Sequence, residues 1–422
     1  MKQCIFLFVV VFSVSVLYAQ DNANYDESKV PAYTLSDPLT MKDGTKVTSI
    51  KQWEKQRRPE LMAVFSSQMY GRTPKDKIKV THETVSENPN FLNGKATLKQ
   101  VKFVFTNGVK KQEAILLLVL PNEPKGKVPV FVGYNFRGNH STHKDPSIEY
   151  PTFIRLQTSP DHYRWDNNHM ERGNNASCWN YELIIGRGYG VATMFYQDIY
   201  PDKPNQEDYG IVSLFPGYDP TSKAPDRWQA IGAWAWGMSR ILDYLETQKR
   251  VDMKKIISTG HSRLGKTSLW AGAQDNRFKI VISNESGCGG AALSKRIYGE
   301  TVTVITKSFP HWFCPAFSQY AYNELNIPFD QHELIALIAP RKVYIASAEE
   351  DRWADPKGEF LSGYHAGPVF ELYGLKGLGT NVQPPNHQPI RNDIGYHVRA
   401  GIHDVTDYDW KCFMDFADKH LK

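Results

Sequence analysis

The sequence predicts an α/β fold: a three-layer αβα sandwich around a mostly parallel central sheet. Short apolar runs at 128–132, 190–195 and 278–283 are typical of strands buried on both faces. Between the last two runs, residues 228–246 place apolar side chains at intervals of three and four, which predicts an amphipathic helix. Helices that alternate with buried strands require parallel pairing with right-handed crossovers. We expect a single domain over residues 21–422.

The other elements follow from local patterns. Residues 49–70 have helical spacing and end at a glycine and a proline. Two alternating runs flank Asn107-Gly108, a strong signal for a β-hairpin. The remaining predicted segments are strands at 96–105, 113–120, 255–260, 343–346 and 396–400, and helices at 267–274 and 407–421.

The first twenty residues differ from the rest. Lys2 precedes an apolar run over 5–17, and Ala19 supplies a small residue before a polar stretch. This pattern predicts a secretory signal peptide over 1–20, since the run is too short to span a bilayer comfortably. We therefore expect a secreted or periplasmic protein without a membrane anchor. A formal charge of +5, with dispersed basic residues, argues against nucleic-acid binding.

Four cysteines remain after the predicted cleavage: Cys178, Cys288, Cys314 and Cys412. Export permits disulfides, but the spacing does not reveal a pairing, and four free thiols are equally open. No C-x-x-C pair occurs, which argues against a zinc site. We expect neither a metal nor another cofactor.

The stretch 255–266 carries the strongest functional signal. A strand ends before Gly260, which allows a sharp turn, and a helix follows, so that Ser262 lies at the tip of a strand–turn–helix unit. Esterases of the α/β-hydrolase fold hold their nucleophile at this place. The usual G-x-S-x-G pattern is altered, because Leu264 stands where the second glycine belongs and Gly265 comes one residue late. The alternative is an ordinary turn with a serine near the helix N-cap.

The order of the other chemical groups supports a catalytic triad. In this fold the nucleophile, the acid and the histidine follow one another along the chain. Ser262, Asp351 and His403 each come after a predicted strand, in that order, and His403 lies between the last strand and the last helix. The acid stays open at this stage. Glu285 closes the strand after the nucleophile helix and could also reach the histidine.

Three loops complete the predicted cleft. Residues 133–140 follow a buried strand, where the fold usually supplies one N–H of its oxyanion hole. We expect the insertion over 141–182, which carries Arg164 and Trp165, to form a wall of the cleft. The segment 291–335 has a mixed, lid-like composition.

Two motifs around the serine resemble those of a known family. Residues 260–266 and 285–290 are similar to the G-C-S-R-x-G-K and E-S-G-x-G-G motifs of glucuronoyl esterases, carbohydrate esterase family 15. Residues 135–140 and 350–356 resemble loops of its bacterial members, and the resemblance covers most of the chain after residue 20. It implies hydrolysis of esters between 4-O-methyl-glucuronic acid on glucuronoxylan and lignin alcohols.

The resemblance implies a role for each catalytic candidate. Ser262 would be the nucleophile and His403 the general base. Glu285 matches the acid of fungal members, whereas Asp351 matches the acid of many bacterial ones. Arg263 would offer its backbone N–H and its guanidinium to the oxyanion.

Three further residues would contact the sugar by the same resemblance: Lys266, Glu300 and Trp353. Lys266 lies four residues beyond Ser262 and so returns to the same helical face. An esterified uronate is neutral, whereas its transition state is anionic, so nearby cations favour the transition state over the bound ester. Core packing of Trp353 and a surface position for Glu300 are the alternative readings.

One departure from the fungal pattern needs a structural answer. His261 and Asp404, which flank the nucleophile and the base, stand where fungal members carry two disulfide-bonded cysteines. That covalent link must be absent here, and other contacts must hold the two catalytic loops together.

Two other functions compete with this reading. The first is an acetylxylan or other carbohydrate deacetylase on the same fold, which the two cations near Ser262 disfavour. The second is a sugar-binding protein without catalysis, which the intact triad disfavours. For the esterase we expect a monomer that acts on a lignin–carbohydrate ester.

Overall fold

The computed structural model describes residues 23–150 and 171–421. The predicted signal peptide and the central part of the 141–182 insertion, with Arg164 and Trp165, lie outside the described residues. Within the described part, ten strands form one sheet in the order β1-β2-β3-β5-β4-β6-β7-β8-β10-β9. Their bounds are β1 Lys79–Asn90, β2 Ala96–Thr106, β3 Lys111–Pro121, β4 Val128–Asn135, β5 Gly190–Phe195, β6 Val251–His261, β7 Phe278–Asn284, β8 Lys342–Ala348, β9 Ile390–Arg391 and β10 Ile394–Arg399.

The centre of the sheet is parallel and its margins are antiparallel. Strands β5, β4, β6, β7, β8 and β10 pair in parallel. Strands β1, β2 and β3 add an antiparallel meander on one side, and β9 closes the other. This arrangement confirms the predicted α/β-hydrolase architecture and the hairpin around Asn107. It also places the carboxyl ends of β6, β7, β8 and β10 at one edge of the sheet, where every triad candidate lies.

Helices cover both faces of the sheet and bury two apolar clusters. The helix over Ala230–Leu245 packs Trp234 and Ile241, both fully buried, against one face, while the helix over Asp407–Leu421 packs Phe413 and Phe416 against the other. The helices are α1 Ile50–Gln52, α2 Arg58–Gln68, α3 Phe91–Gly94, α4 Tyr181–Gly186, α5 Ala230–Leu245, α6 Arg263–Gln274, α7 Val302–Ser308, α8 Gln331–Ala336, α9 Pro356–His365, α10 Gly367–Leu372 and α11 Asp407–Leu421.

Some elements differ from the predictions. Strand β1 was missed because most of its side chains are exposed, so it lacks a clear apolar alternation. Helix α6 begins at Arg263, four residues before the predicted start, because Ser262 itself is its N-cap. The segment 291–335 is built into the core rather than lying over it, since Trp312 and Phe313 are each only 3% exposed.

An N-terminal arm, residues 24–36, runs along the body of the domain. The Glu27 carboxylate lies 2.8 Å from both the Arg296 Nη2 and the Lys357 Nζ. Further along, the Ser36 carbonyl lies 2.8 Å from the His332 Nε2. These contacts hold the arm against the part of the domain that includes residues 295–300. Among the described residues, no helix combines the length and the apolar character needed to cross a bilayer.

Candidate active site

The predicted nucleophile sits on a strained turn. Ser262 joins β6 to α6 with φ 55° and ψ −129°, a backbone conformation that non-glycine residues rarely adopt. Its N–H donates to the Asn284 carbonyl at 2.9 Å, which ties the turn to the neighbouring strand. Such a turn presents a serine hydroxyl above the carboxyl edge of the sheet, as a nucleophile elbow requires.

Close packing explains the altered glycine pattern. A Cβ on Gly260 would lie 1.9 Å from the Leu264 carbonyl oxygen, and a Cβ on Gly265 would lie 2.9 Å from the Ser286 Cβ. Leu264 is 1% exposed and belongs to the core. The second glycine is therefore needed at 265, where the helix meets the turn after β7, whereas position 264 takes a large apolar side chain.

Both candidate acids meet the predicted base. The His403 Nδ1 lies 2.6 Å from the Asp351 Oδ2 and 3.2 Å from the Glu285 Oε2. The His403 side chain is 42% exposed, whereas those of Asp351 and Glu285 are 5% and 0% exposed. With Nδ1 held by carboxylates, Nε2 is the nitrogen that can exchange a proton with a serine hydroxyl.

The pKa values of His403 and Glu285 are both shifted in this cluster. Burial alone would lower the pKa of His403, but its hydrogen bonds with Asp351 and Glu285 outweigh burial and raise that pKa to about 9. Burial raises the pKa of Glu285 to about 7, against the opposing effects of His403 and Arg399. The imidazolium is thus strongly favoured beside the two carboxylates, as a general base requires once it has accepted a proton.

Glu285 also has structural partners other than His403. Its Oε1 accepts from the Arg399 Nη2 at 2.6 Å, and its Oε2 accepts from the Asp404 N–H at 3.0 Å. The Arg399 Nε also donates to the Asp409 Oδ2 at 3.0 Å, so a buried ion-pair chain runs from Glu285 into helix α11. Glu285 therefore anchors the loop that carries His403, while Asp351 makes the shorter contact with the imidazole.

The guanidinium of Arg263 is fixed by a buried aspartate. Its Nη1 donates to the Asp202 Oδ2, and its Cζ lies 4.6 Å from the centre of the Trp312 ring. Asp202, 3% exposed, also accepts from the Trp312 Nε1 at 2.6 Å, lies 2.8 Å from the His311 Nε2 and accepts from the Tyr196 hydroxyl at 2.7 Å. Although burial raises the pKa of Asp202, the Arg263 charge and these hydrogen bonds hold that pKa well below its usual range.

The three predicted sugar contacts lie together beyond Arg263. The Lys266 Nζ donates to the Ser286 carbonyl and lies 4.0 Å from the Glu300 Oε2. Both side chains are largely buried, 4% and 7% exposed, so the surface position considered for Glu300 is wrong. The Glu300 N–H donates to the Trp353 carbonyl at 2.9 Å, which joins the two residues, and Trp353 is half-buried.

The chain is similar to known esterases in both sequence and structure. The family model for glucuronyl esterases of fungi matches residues 207–374. The carbohydrate esterase MZ0003, from an unknown prokaryotic organism, is 46% identical over the whole of this chain and 98% of its own length. A glucuronoyl esterase structure from Solibacter usitatus is 44% identical, covers 94% of this chain and all of its own, and superimposes with a TM-score of 0.86. The 4-O-methyl-glucuronoyl methylesterase 1 of Wolfiporia cocos is 29% identical over 85% of this chain and 78% of its own length.

The chain belongs to carbohydrate esterase family 15. The membership predicted from the two motifs is confirmed, as is the α/β-hydrolase fold. The structure also answers the open question about the cysteines, because Cys178, Cys288, Cys314 and Cys412 are all free thiols.

Sequence reasoning missed several residues around this esterase site. Asp202 follows the carboxyl end of β5, the same kind of position as the other candidates, so its place after a strand could have indicated it. His311 and Trp312 come from a distant segment, and Arg399 ends β10; no local pattern predicts their contacts.

His261, Glu285 and His403 also bring three potential metal ligand atoms within 4.8 Å of one another. In the structure these three side chains are engaged with Asn284, Arg399 and Asp351.

Proposed function

We propose that this esterase hydrolyses esters between 4-O-methyl-glucuronic acid on glucuronoxylan and lignin alcohols. The observation that carries the proposal is the pair of cations, Arg263 and Lys266, on the first turns of the helix that Ser262 caps. A uronate ester places its carboxyl carbon at the nucleophile, so the negative charge that develops there meets both cations. The proposal is supported by related proteins that are named glucuronoyl esterases, including the one from Solibacter usitatus.

The proposed reaction has two halves. His403 takes the Ser262 hydroxyl proton as Oγ attacks the ester carbon, and Arg263 receives the oxyanion through its backbone N–H and guanidinium. Collapse of the tetrahedral species breaks the bond to the alcohol, which leaves with the proton from His403. A water molecule then attacks the acyl-enzyme, His403 accepts its proton and returns it to Ser262, and the free uronate departs.

The acids and the sugar contacts have separate roles in this proposal. Asp351 holds the His403 ring and stabilises its imidazolium, and Glu285 supports the same loop. Lys266 and Glu300 divide the sugar hydroxyls as donor and acceptor, and Trp353 offers an apolar face to the ring. Because the buried Lys266 Nζ already donates to the Ser286 carbonyl, its orientation is set before the substrate arrives.

The deciding experiment compares two substrates. Purified enzyme is assayed on the benzyl ester of glucuronic acid and on acetylated xylan. We expect hydrolysis of the benzyl ester with much the higher kcat/KM, and loss of both the activity and fluorophosphonate labelling in Ser262→Ala. Exclusive deacetylation would overturn the proposal, and labelling that survives in Ser262→Ala would exclude Ser262 as the nucleophile.

Carbohydrate deacetylation is kept as a second candidate for one reason. The family 15 structure that is 46% identical over 94% of this chain is described as a promiscuous esterase from a marine bacterial metagenome. A measurable rate on acetylated xylan would therefore add a side activity, and Lys266→Met should lower the rate on the uronate ester much more than the rate on the acetyl ester.

Export and assembly complete the proposal. We infer that residues 1–20 direct the esterase out of the cytoplasm and that it works as a monomer. Mass spectrometry of the exported protein should find an amino terminus close to residue 21, and light scattering should give the mass of one chain. Retention of residues 1–20 in the exported protein would contradict the signal-peptide assignment.

A further inference from the structure

We propose that Asn284 is a positioning residue that clasps the nucleophile's loop to the base's loop. Asn284 ends β7 and is 1% exposed. Its Nδ2 lies 2.8 Å from the His261 Nδ1 and 3.0 Å from the Asp404 carbonyl oxygen. His261 precedes Ser262 and Asp404 follows His403, so one amide joins the residues beside the two groups that must exchange a proton. The inference rests on the proposed serine-esterase chemistry.

Hydrogen bookkeeping fixes the direction of each bond. A carbonyl oxygen can only accept, so the amide must present Nδ2 to Asp404. The second hydrogen of Nδ2 goes to the His261 Nδ1 at 2.8 Å, which is much closer than the Glu285 Oε1 at 3.5 Å, so the His261 Nδ1 accepts and must be unprotonated. His261 is therefore a neutral imidazole that carries its proton on Nε2. Burial, together with the nearby charges of His403, Arg399, Arg263 and Lys266, holds the pKa of His261 well below its usual range and so favours that neutral form.

The neutral ring of His261 also supports the base directly. Its centre lies 4.2 Å from the centre of the His403 ring, at an interplanar angle of 42°. Asp404 is held by two further contacts, because its N–H donates to the Glu285 Oε2 and its carbonyl also accepts from the Arg399 Nη2 at 2.8 Å. The consecutive residues Asn284 and Glu285 thus hydrogen-bond to the carbonyl and the N–H of Asp404, respectively. Positions 261 and 404 correspond to the two disulfide-bonded cysteines of the fungal pattern. In this chain the two hydrogen bonds of Asn284 take the place of that disulfide.

The clasp should affect rate more than stability. Within the described residues, the buried Asn284 Oδ1 has no hydrogen-bond partner, and that cost offsets part of what Nδ2 contributes to folding. Its effect on catalysis is different, because a displacement of about 1 Å between reacting groups can lower a rate by about 100-fold. Removing the amide leaves the substrate contacts in place, so kcat should fall while KM stays.

The test uses Asn284→Ala, His261→Phe and the double variant. Phenylalanine keeps an aromatic ring against His403 but removes the Nδ1 acceptor. Each single variant should lower kcat on the glucuronate benzyl ester by about 10- to 100-fold, with KM within about twofold of wild type. The double variant should lose no more than the worse single, because both break the same link. Ser258→Ala is the matched control: it removes a buried hydrogen bond, 2.6 Å to the Ser268 Oγ, from the strand that carries the nucleophile.

Rates are normalised to the fraction that a fluorophosphonate titrates, so unfolded protein does not count. Asn284→Asp provides a second, isosteric variant, because it sets a carboxylate oxygen against the Asp404 carbonyl and should lose at least as much kcat as the alanine. Full kcat in both Asn284 variants, or losses that multiply in the double variant, would overturn the clasp. Phosphonate inactivation does not depend on the natural ester. The clasp can therefore be refuted even if the substrate assignment holds, and the substrate assignment can be refuted even if the clasp holds.

Discussion

The division of labour between the two acids gives the sharpest prediction. Asp351 lies 2.6 Å from the His403 Nδ1 and Glu285 lies 3.2 Å from it. A hydrogen bond to a charged group contributes about 1.5–3 kcal/mol, and every 1.4 kcal/mol corresponds to about a tenfold change in rate. Because Glu285 remains to orient the ring, we expect Asp351→Asn to lower kcat/KM by about 10- to 100-fold rather than to abolish it.

Glu285→Gln should produce the opposite balance. The Glu285 side chain is fully buried against Arg399, and removal of one partner from such a pair typically costs about 3–5 kcal/mol of unfolding free energy. Its longer contact with His403 predicts a loss in kcat/KM of less than about tenfold, since the hydrogen bond at Nδ1 is kept by Asp351. Asp351→Asn should cost less unfolding free energy than Glu285→Gln, because Asp351 pairs with the 42%-exposed His403 rather than with a buried arginine.

The assay pairs kcat/KM on the benzyl glucuronate ester with denaturant unfolding for each variant. Glu350→Gln serves as the control, because it neutralises an exposed carboxylate next to Asp351. The double variant should lose about 10,000-fold, well beyond either single change, since no carboxylate would then orient the ring. Equal losses of kcat/KM in the two single variants, or a larger loss in Glu285→Gln, would refute the assignment of Asp351 as the main acid.

Three further predictions follow from the same geometry. The rate should rise with pH as His403 loses its proton, since the two acids raise the pKa of His403 to about 9. Asp351→Asn removes one of these acids and should move the rise in rate to lower pH. A pH–rate profile that does not move would exclude His403 as the titrating base. Asp202→Asn should lower kcat by about 10- to 100-fold, because Arg263 is no longer held in place. The same substitution should cause no further loss in an Arg263→Ala background. If the two losses of kcat multiply instead, Asp202 does not act through Arg263. Gly260→Ala should destabilise the fold by about 3 kcal/mol or more in denaturant unfolding, because its Cβ would meet a backbone oxygen, and a stable variant would contradict that packing.

The sequence predicts the parts of the molecule that rest on periodic patterns. Buried strands such as 190–195 and the hairpin around Asn107 were placed correctly, because apolar runs and turn residues report local structure. The order of Ser262, Asp351 and His403 along the chain was enough to bring them to one edge of the sheet, since parallel strands share that edge. Their distances then showed which acid lies nearer to the base.

Contacts between distant segments could not be read in this way. Asp202 meets His311 across more than a hundred residues, and the approach of the two depends on how whole loops pack. Strand β1 was missed because an exposed edge strand has little apolar signal. The replacement for the fungal disulfide depends on Asn284, whose type alone indicates nothing about its partners.

The N-terminal arm has a practical consequence for anyone who purifies this esterase. The Asn24 carbonyl accepts from the Gly299 N–H at 2.9 Å, one residue before the buried Glu300. Affinity handles fused directly ahead of residue 23 would therefore emerge beside the proposed sugar contacts, where they would compete with polysaccharide for that surface. A handle after helix α11 avoids this crowding, and comparing the two fusions on a polymeric and on a small ester substrate would reveal whether the arm borders the path of a bound polysaccharide.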